Sequence, residues 1–291
     1  MALILLITIY LTNELISFLK GVRSWMHCPF VCRMNRETGV NMKNAQVYLI
    51  GAGPGSLELL TLGAVRAIGL ANVILIDDLV NLDVLKFAQG NAQIVHVGTR
   101  GGCRSTPQAF IHKQMISLAR EGKVVARIKG GDPFMFGRGG EELQALRQAG
   151  ISVSVISGIT SGMAVTASLY VPLTHRNCTH GVTFVTGHTQ GTEELNWQAL
   201  AATGTTLVIY MGMSNLGHIV QQLIANGLSA DVPAAAIQNG TLPNQRQVVT
   251  TLGQLEFRVV AEKMASPAIV VIGEVVRFAD MTKEISQQFA A

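Results

Sequence analysis

The residues best placed to do chemistry lie in the stretch RIKGGDPFMFGRGGEE, which covers Arg127–Glu142. Its apolar beginning predicts a strand that runs directly into Gly130-Gly131, and adjacent glycines let a backbone adopt positive φ angles and approach a ligand closely. Pro133 biases Asp132 towards an extended conformation, so the carboxylate is predicted at the end of the strand rather than in a helix. A fixed acid beside a glycine turn indicates a site that orients a small molecule.

A second glycine pair, Gly139-Gly140, follows and precedes Glu141 and Glu142, which favour the first turn of a helix. Strand, glycine turn, acid, glycine turn and helix is the order in which an α/β sheet builds a ligand site at its strand ends. Two tight turns in an ordinary α/β domain would show the same residues. The stretch alone therefore leaves a ligand site and a structural turn both open.

Several arginines fall in the loops that follow predicted strands. Arg100 and Arg104 lie in TRGGCRSTPQ, Arg138 lies between the glycine pairs, and Arg176 follows PLTH. Guanidinium groups pair with carboxylates through two parallel hydrogen bonds, so arginines that converge on one cleft suit a substrate with many carboxylates. Surface solubility is the alternative explanation, but clustering in glycine-flanked loops favours substrate contact.

The sequence GAGPG after the first predicted strand is similar to a dinucleotide-binding turn. Asp77 lies near the ~20-residue distance at which such sites place a ribose-binding acid. The G-x-G-x-x-G pattern needs glycine or alanine at its sixth position, however, and this chain has Ser56. Pro54 also lacks the N–H that would help to hold a pyrophosphate. The ligand is therefore predicted to lack a diphosphate, which disfavours a nicotinamide or flavin enzyme.

Composition indicates a protein with large buried surfaces. The chain of 291 residues is 48% hydrophobic and only 14% charged, against roughly 25% charged for a typical soluble domain. That length suits one large domain or two smaller ones. The net charge of +4 is too small to indicate nucleic-acid binding, and a local basic groove for an acidic small molecule fits equally well.

The four cysteines are too few and too scattered to predict a disulfide scaffold. Cys28 and Cys32 lie beside His27 and could hold a metal or an iron–sulfur cluster. A further nearby cysteine that would complete the ligand set is missing from the sequence around them. We therefore assign no metal ligands and expect reduced thiols.

The N-terminal segment is apolar from Ala2 to Leu11, but Asn13 and Glu14 interrupt it. This is about half of the ~20 residues that a membrane-spanning helix needs. A signal peptide would also begin with a positively charged region, which this segment lacks. We expect a cytoplasmic protein without stable membrane insertion, and we predict that residues 1–45 are an extension, either disordered or from a misassigned start.

Alternating strands and helices predict the architecture of the first half, residues 46–162. The predicted strands are Val47–Ile50, Val73–Ile76, Ile94–Val97, the strand through Val124–Ile128, and Val153–Ile156. A helix is predicted from Thr61, and another from Thr106 as N-cap with Pro107 at its first position. This spacing predicts a doubly wound, mostly parallel sheet in an N-terminal α/β domain.

The alternation loosens after about residue 165, which predicts a mixed sheet in a C-terminal α/β domain. The predicted strands are Val182–Val185, Thr206–Tyr210, Ala234–Ile237, Val248–Thr250 and Ile269–Ile272, with a clear helix at Leu216–Ala225. This domain is predicted to span residues 163–280, followed by a tail at 281–291. The connection near 160–170 is too apolar for a free linker, so the domains are predicted to pack tightly.

A series of motifs, in order along the chain, resembles the tetrapyrrole methylase family. They are VYLIGAGPGSLELLTLGAVRAI, VGTRGGCRSTPQ, RIKGGDPFMFGRGGEE, SGITSGMAVTASLYVPLTHR, FVTGH and YMGM. The set covers roughly Gln46–Arg277 and is far more specific than any one motif. GRGGEE and VPLTHR are most similar to the members that methylate uroporphyrinogen III, rather than to the precorrin, ribosomal RNA or diphthamide enzymes.

The resemblance implies two α/β domains with S-adenosylmethionine (SAM) in the cleft between them, and a homodimer. Cofactor contacts are implied for Pro54, Gly130, Gly131, Asp132, Met135, Thr160, Ser161, Met211, Gly240 and Ala268. SAM contains a ribose, an adenine and an amino acid but no phosphate. This agrees with the separate prediction of a ligand without a diphosphate.

The implied reaction transfers methyl groups from SAM to ring carbons C2 and C7 of uroporphyrinogen III. It gives precorrin-2 through precorrin-1, releases two molecules of S-adenosylhomocysteine (SAH), and serves sirohaem or cobalamin synthesis. The base assigned in relatives corresponds to Asp77, and Asp132 is implied to position the cofactor. Four arginines are our candidates for holding the acetate and propionate groups of the substrate: Arg100, Arg104, Arg138 and Arg176.

Three positions depart from the family pattern. Asp78 stands where the family has arginine, Thr99 where it has lysine, and Ser157 where it has proline. In some relatives that lysine is assigned as the proton donor, and a threonine hydroxyl does not replace an ammonium as an acid near neutral pH. Two alternatives therefore stay open: another tetrapyrrole methyltransferase that acts on a precorrin, and a catalytically weakened module that binds SAM or a tetrapyrrole.

Overall fold

The computed structural model describes residues 45–98, 106–188 and 195–279. Within these ranges the chain forms two sheets with helices packed on them, which confirms the predicted α/β class with two domains. The tail at 281–291 and the N-terminal extension, apart from Ala45, lie outside the described residues. The exact domain boundaries stay predictions.

The first sheet is wholly parallel. Its strands are β1 (Val47–Gly51), β2 (Val73–Ile76), β3 (Gln93–His96), β4 (Val125–Lys129) and β5 (Val153–Ile156). Among the described residues their order is β3-β2-β4-β1-β5. The strands β1 and β4 are therefore neighbours although far apart in sequence, so the loops after them meet at the same edge of the sheet.

Among the described residues, helices lie between successive strands of this sheet at α1 (Leu62–Leu70), α2 (Gln108–Arg120) and α3 (Gly139–Gln148). The helix predicted from Thr61 begins at Leu62, and Thr61 caps it, since its hydroxyl accepts a hydrogen bond from the backbone N–H of Ala64 at 3.1 Å. The predicted start of α2 is wrong by one residue, because Pro107 precedes the helix and its first residue is Gln108. The second glycine pair begins α3 instead of preceding it.

The second sheet is mixed, as predicted. Its strands are β6 (Val182–Thr186), β7 (Thr206–Tyr210), β8 (Pro233–Gln238), β9 (Arg246–Thr251) and β10 (Ala268–Ile272). In the part of the chain that the structure describes, their order is β6-β7-β10-β8-β9, with β6 and β7 parallel and the other pairs antiparallel. The carboxyl ends of β7 and β8 and the start of β10 therefore lie at one edge.

In the described part of the second half, the α-helices are α4 (Ser161–Ala167), α5 (Trp197–Ala202), α6 (Leu216–Ala225) and α7 (Leu252–Ala261). The prediction for α6 is confirmed at both ends, whereas α5 and α7 were not predicted. In α7 the buried residues Leu252, Leu255 and Val259 have helical spacing. None of the helices in the described ranges is long and apolar enough to cross a membrane.

The helix α4 carries the chain from the first sheet to the second. Its residue Val165 is buried in the core of the second sheet, against Val208, Ile237 and Val271 among others. The loop after β8 packs on the same helix so closely that a Cβ atom on Gly240 would collide with the Val165 side chain. The apolar connection near residues 160–170 is therefore a packed helix rather than a linker, as predicted.

We predict that Gly240→Ala destabilises the protein by about 1–3 kcal/mol, because a methyl group at this position forces Val165 out of its packed position. Chemical denaturation gives the free energy of unfolding. The control is Gly90→Ala, where an added Cβ has no atom within 4 Å and should change stability by no more than about 0.5 kcal/mol. Equal stability of the two variants would contradict the prediction.

Candidate active site

Three loops of the first sheet meet with their backbones in contact. Gly53 and Gly131 exchange backbone hydrogen bonds, with N–H···O distances of 3.1 Å and 2.7 Å. A Cβ atom on Gly158 would collide with the carbonyl of Gly131 and with the backbone of Gly51. Only glycine permits this approach, so the loops after β1, β4 and β5 form a floor made of backbone.

The Asp132 carboxylate joins two of these loops. Its Oδ1 accepts a hydrogen bond from the Phe134 N–H at 2.8 Å, and its Oδ2 accepts one from the Gly158 N–H at 3.1 Å. Both oxygens are thus engaged by backbone donors, one from its own loop and one from the loop after β5. The acid lies at the end of β4, where the sequence predicts it, and it fixes the floor at this point.

Hydrogen bonds also join the loop after β1 to its neighbours. The Asn81 side-chain amide donates to the carbonyl of Gly55 at 2.9 Å, which connects the loops after β2 and β1. The Ser56 N–H donates to Thr241 Oγ1 at 3.1 Å, which connects the first half to the loop after β8. The cleft between the two sheets is therefore bridged at Ser56 and Thr241.

Tyr210, at the end of β7, connects three segments. Its hydroxyl lies 2.7 Å from Thr160 Oγ1 and accepts a hydrogen bond from the Gly162 N–H at 2.7 Å. Its ring packs against Phe136 from the loop after β4, with ring centroids 4.9 Å apart. Burial raises the pKa of the Tyr210 hydroxyl above its usual value, so the neutral form is favoured at this junction.

Several non-glycine residues around the cleft have left-handed backbone conformations. They are Phe136, Arg138, Met211, Asn239 and Thr241, with φ angles between 52° and 67°. All of them follow the carboxyl ends of β4, β7 or β8. Non-glycine residues rarely adopt this conformation, and where they do so in a cluster the site is often functional. These strained backbone conformations therefore lie at the edge where the loops of both sheets meet.

All ten residues implied as cofactor contacts lie at this edge. Pro54 and the stretch Gly130–Asp132 belong to the loops of the backbone floor, and Ser161 approaches Gly131. Thr160 contacts the hydroxyl of Tyr210, and Met211 is the next residue in the chain after Tyr210. Met135 packs against the core of the second sheet. Gly240 adjoins Thr241, and Ala268 pairs with Gln238 at the end of β8. Their contact with a cofactor stays a prediction.

The structure describes two of the four candidate substrate arginines. The Arg138 guanidinium forms two hydrogen bonds to the Glu141 carboxylate, at 2.9 Å and 2.6 Å, and its side chain is half exposed. Arg176 is exposed in the turn between His175 and Thr179. Arg100 and Arg104 lie outside the described residues, as does Thr99. Substrate contact by these arginines is thus still a prediction.

Asp77, the candidate base, lies at the end of β2 beside two buried cations. Arg127 Nη2 is 2.6 Å from its Oδ1, and Lys129 Nζ is 3.6 Å from its Oδ2. Both cations also contact Glu142 Oε1, at 3.0 Å and 3.1 Å, and Gln108 donates to the same oxygen at 3.0 Å. Asp77, Arg127, Lys129 and Glu142 form a cluster of two positive and two negative side chains, called the charge cluster below.

The charge cluster was missed in the sequence, although a signal for it exists. Arg127 and Lys129 alternate with Ala126 and Ile128 in a strand that is buried throughout. Charged residues are almost never fully buried unless they are paired, so two of them on one face of a buried strand indicate partners nearby. Asp77 continues the same face of β2 beyond Val73 and Leu75.

Metal ligation was not predicted for this chain. Cys28, Cys32 and Cys103 lie outside the described residues. Within the three described ranges, no group of three or more His, Cys, Asp or Glu side chains is arranged so that it could hold a metal ion.

Comparison with known proteins places the chain in a family. Residues 46–256 match the model of the Tetrapyrrole (Corrin/Porphyrin) Methylases. The uroporphyrinogen-III C-methyltransferase of Pseudomonas aeruginosa is 50% identical over 234 residues, which are 80% of this chain and 95% of that protein.

Two solved structures share the fold. One is uroporphyrin-III C-methyl transferase from Thermus thermophilus, complexed with S-adenyl homocysteine. It is 37% identical to this chain with a TM-score of 0.69, and the match covers 80% of this chain and 94% of that one. Cobalt precorrin-4 methyltransferase is 25% identical with a TM-score of 0.72, over 82% of this chain and 98% of that one. The predicted two-domain methylase fold is therefore confirmed.

We predict that Tyr210→Phe lowers the free energy of unfolding by about 1–3 kcal/mol at neutral pH, because the buried Gly162 N–H loses its acceptor. The control is Tyr170→Phe, since Tyr170 is 72% exposed, and it should leave stability unchanged.

The pH dependence of protein stability provides a second test of the role of the Tyr210 hydroxyl. An unfolded tyrosine ionises near pH 10, whereas the raised pKa of Tyr210 delays ionisation in the folded protein. The hydroxyl of Tyr210 therefore makes its full contribution to the free energy of unfolding below about pH 10. This contribution is lost as the pH rises towards the pKa of Tyr210 in the folded protein. The stability difference between wild type and Tyr210→Phe should narrow in that range, and a widening difference would contradict this explanation.

Proposed function

The chain belongs to the tetrapyrrole (corrin/porphyrin) methylases, and we propose that it is a SAM-dependent C-methyltransferase acting on uroporphyrinogen III. It methylates C2 and then C7, giving precorrin-1 and then precorrin-2, and it releases two molecules of SAH. The observation that carries this proposal is 50% identity along almost the whole of the Pseudomonas aeruginosa enzyme. The product serves sirohaem or cobalamin synthesis.

The residues of the backbone floor fit SAM better than a dinucleotide. A carboxylate, Asp132, lies within the floor, and the adjoining loop contains Pro54, which has no N–H to donate. An anionic side chain disfavours a diphosphate, whereas SAM carries positive charge and no phosphate. Asp132 fixes the loops that would hold the cofactor, with Thr160 in the loop after β5 and Met211 after β7 of the second sheet. When bound, SAM supplies an activated methyl group on its sulfonium.

The chain's own residues align the reactants and hold the substrate. Positioning of the reacting atoms and exclusion of water supply most of the rate enhancement when the methyl group is already activated. Asp77 is our candidate for the base that accepts a proton from the tetrapyrrole as ring electrons move. Arg100, Arg104, Arg138 and Arg176 are our candidates for binding the substrate carboxylates, and a substrate carboxylate at Arg138 would share the guanidinium with Glu141.

The proposal includes a homodimer in the cytoplasm, with no nucleic-acid partner. The low charged fraction of 14% supports extensive buried surface, of which a subunit interface is one part.

Another tetrapyrrole methyltransferase is the second candidate, because the cobalt precorrin-4 enzyme has a similar fold. The higher identity to uroporphyrinogen-III enzymes favours the first proposal. A weakened binding module is the third candidate, motivated by Thr99 and Asp78. The Asp78 carboxyl group packs against Gly98, and its Oδ2 is buried without a hydrogen-bond partner among the described residues.

We predict that the purified protein, with SAM and enzymatically made uroporphyrinogen III under anaerobic conditions, forms a product heavier by two CH2 units, one for each methyl group gained and proton lost, detected by mass spectrometry. Later precorrins offered in parallel should be poorer substrates. Absence of any methylated uroporphyrinogen III product would refute the proposed activity, and faster methylation of a later precorrin would favour the second candidate.

Thr99→Lys separates an active enzyme from a weakened one, since it restores an ammonium at the position of the family's proton donor. We predict that it raises turnover by no more than about 10-fold, because a missing general acid costs less when the methyl group is already activated. A much larger increase would identify the native protein as a weakened enzyme. SAM binding without turnover in either form would support the binding module.

We predict that Asp132→Asn weakens SAH binding by about 10-fold, the equivalent of one lost hydrogen bond. The amide has one oxygen, so it cannot accept from both Phe134 and Gly158. Isothermal titration calorimetry measures the affinity. Asp83→Asn is the matched control, because Asp83 forms an exposed ion pair with Lys86 on the surface; equal affinities of the two variants would contradict a role for Asp132 in forming the site.

A further inference from the structure

The charge cluster is buried more deeply than stability requires. The side chains of Arg127 and Glu142 are 2% and 0% exposed, yet they form an ion pair at 3.0 Å between β4 and α3. Burying an ion pair costs desolvation energy, and well-packed apolar residues of similar volume are often as stable or more so. Stability alone therefore does not explain why this strand and this helix carry opposite charges into the core.

The contacts of Arg127 suggest another reason for the buried ion pair between Arg127 and Glu142. Its Nε donates to Glu142 Oε1 at 3.0 Å, while its Nη2 donates to Asp77 Oδ1 at 2.6 Å. The guanidinium is planar and rigid, so a carboxylate bound at Nε fixes the direction in which Nη2 points. Glu142 thus sets the orientation of Arg127, and Arg127 sets the position of the Asp77 carboxylate.

The exposures of these side chains increase from the core to the cleft. Glu142 is 0% exposed, Arg127 is 2% exposed and Asp77 is 26% exposed, so Asp77 is where the chain of contacts reaches solvent. The Asp77 backbone is held separately, by its N–H donating to the Ile128 carbonyl at 3.2 Å. With Oδ1 engaged by Arg127, Oδ2 is the less engaged oxygen, at 3.6 Å from Lys129 Nζ.

We propose that Arg127, oriented by Glu142, is a positioning residue that holds Asp77 with its Oδ2 available to the substrate. The inference rests on the proposed function and on Asp77 as its base. The backbone hydrogen bond places the Asp77 main chain, and the charge cluster selects one orientation of the side chain. A misplaced carboxylate still leaves the floor at Gly131 and Asp132 intact, so the effect should fall on turnover rather than on binding of the methyl donor.

The test uses Arg127→Lys, which keeps the positive charge but replaces the rigid planar guanidinium with a single ammonium that rotates freely, so that Glu142 no longer fixes the direction of a second nitrogen towards Asp77. Single-turnover assays with radiolabelled SAM and uroporphyrinogen III measure the rate of methyl transfer, and calorimetry measures SAH affinity. The rate should fall by about 10- to 100-fold, as for other small misplacements of a catalytic group, while SAH affinity stays at the wild-type value.

A merely structural role is tested with a matched control. Leu146→Ala removes a fully buried side chain from the same helix, one turn beyond Glu142 and within the apolar core beside β1, β2 and β4. It should lower the melting temperature by at least as much as Arg127→Lys but keep the wild-type rate. Parallel losses of rate and melting temperature across both variants would overturn the inference.

A double-mutant cycle determines whether Arg127 acts through Asp77. In the Asp77→Asn background, Arg127→Lys should cause no further loss of rate, because the group that it positions is already removed. Multiplicative losses would overturn the inference, and so would a wild-type rate in Arg127→Lys alone. Single-turnover conditions with excess enzyme keep the slow rate of the Asp77→Asn variant measurable.

A second variant covers the case in which Arg127→Lys does not fold. Glu142→Asp keeps the charge but withdraws the carboxylate by one methylene group, and it should show the same loss of rate with unchanged SAH affinity. Loss of SAH binding in both variants would overturn the inference, since the pair would then be required for folding. A wild-type protein that does not methylate uroporphyrinogen III would instead overturn the proposed function, and this inference with it.

Discussion

The site depends on the contact between three backbones at Gly51, Gly131 and Gly158, where no side chain fits. Parallel strands bring their carboxyl ends to one edge, but ordinary side chains would keep the loops apart. Because the loops touch, the polar groups of the site have to come from their margins. Asp132 and Thr160 supply two of them within the first half, and the Tyr210 hydroxyl supplies another from the second sheet.

Two carboxylates at the ends of neighbouring strands are held by different partners. Asp132 accepts hydrogen bonds from two backbone N–H groups, so both of its oxygens are used in holding the loops. Asp77 is held by side chains, chiefly by Arg127, and it remains 26% exposed. Backbone donors are fixed by the fold, whereas side-chain partners can hold a group that must also react. This difference supports a structural role for Asp132 and a chemical one for Asp77.

Patterns within short segments predicted most of the fold. Val73–Ile76, Thr206–Tyr210 and Leu216–Ala225 have the predicted bounds, because burial and periodicity there depend on neighbouring residues in sequence. The start of α2 was wrong because Pro107 suits the position before a helix as well as its first turn. The α/β class and the acid at the end of β4 could thus be derived from local signals.

The contacts of the site could not be derived in the same way. Tyr210 meets Thr160 across 50 residues, and Arg127 meets Asp77 across the same separation. Such pairs depend on the order of strands in the two sheets, which no single segment encodes. The loops at Gly131 and Asp132 are connected through hydrogen bonds with backbone groups, whereas Asp77 is connected to the core through Arg127. Under the roles proposed for Asp132 and Asp77, a change beside Asp77, such as one at Asp78, alters turnover while cofactor binding persists.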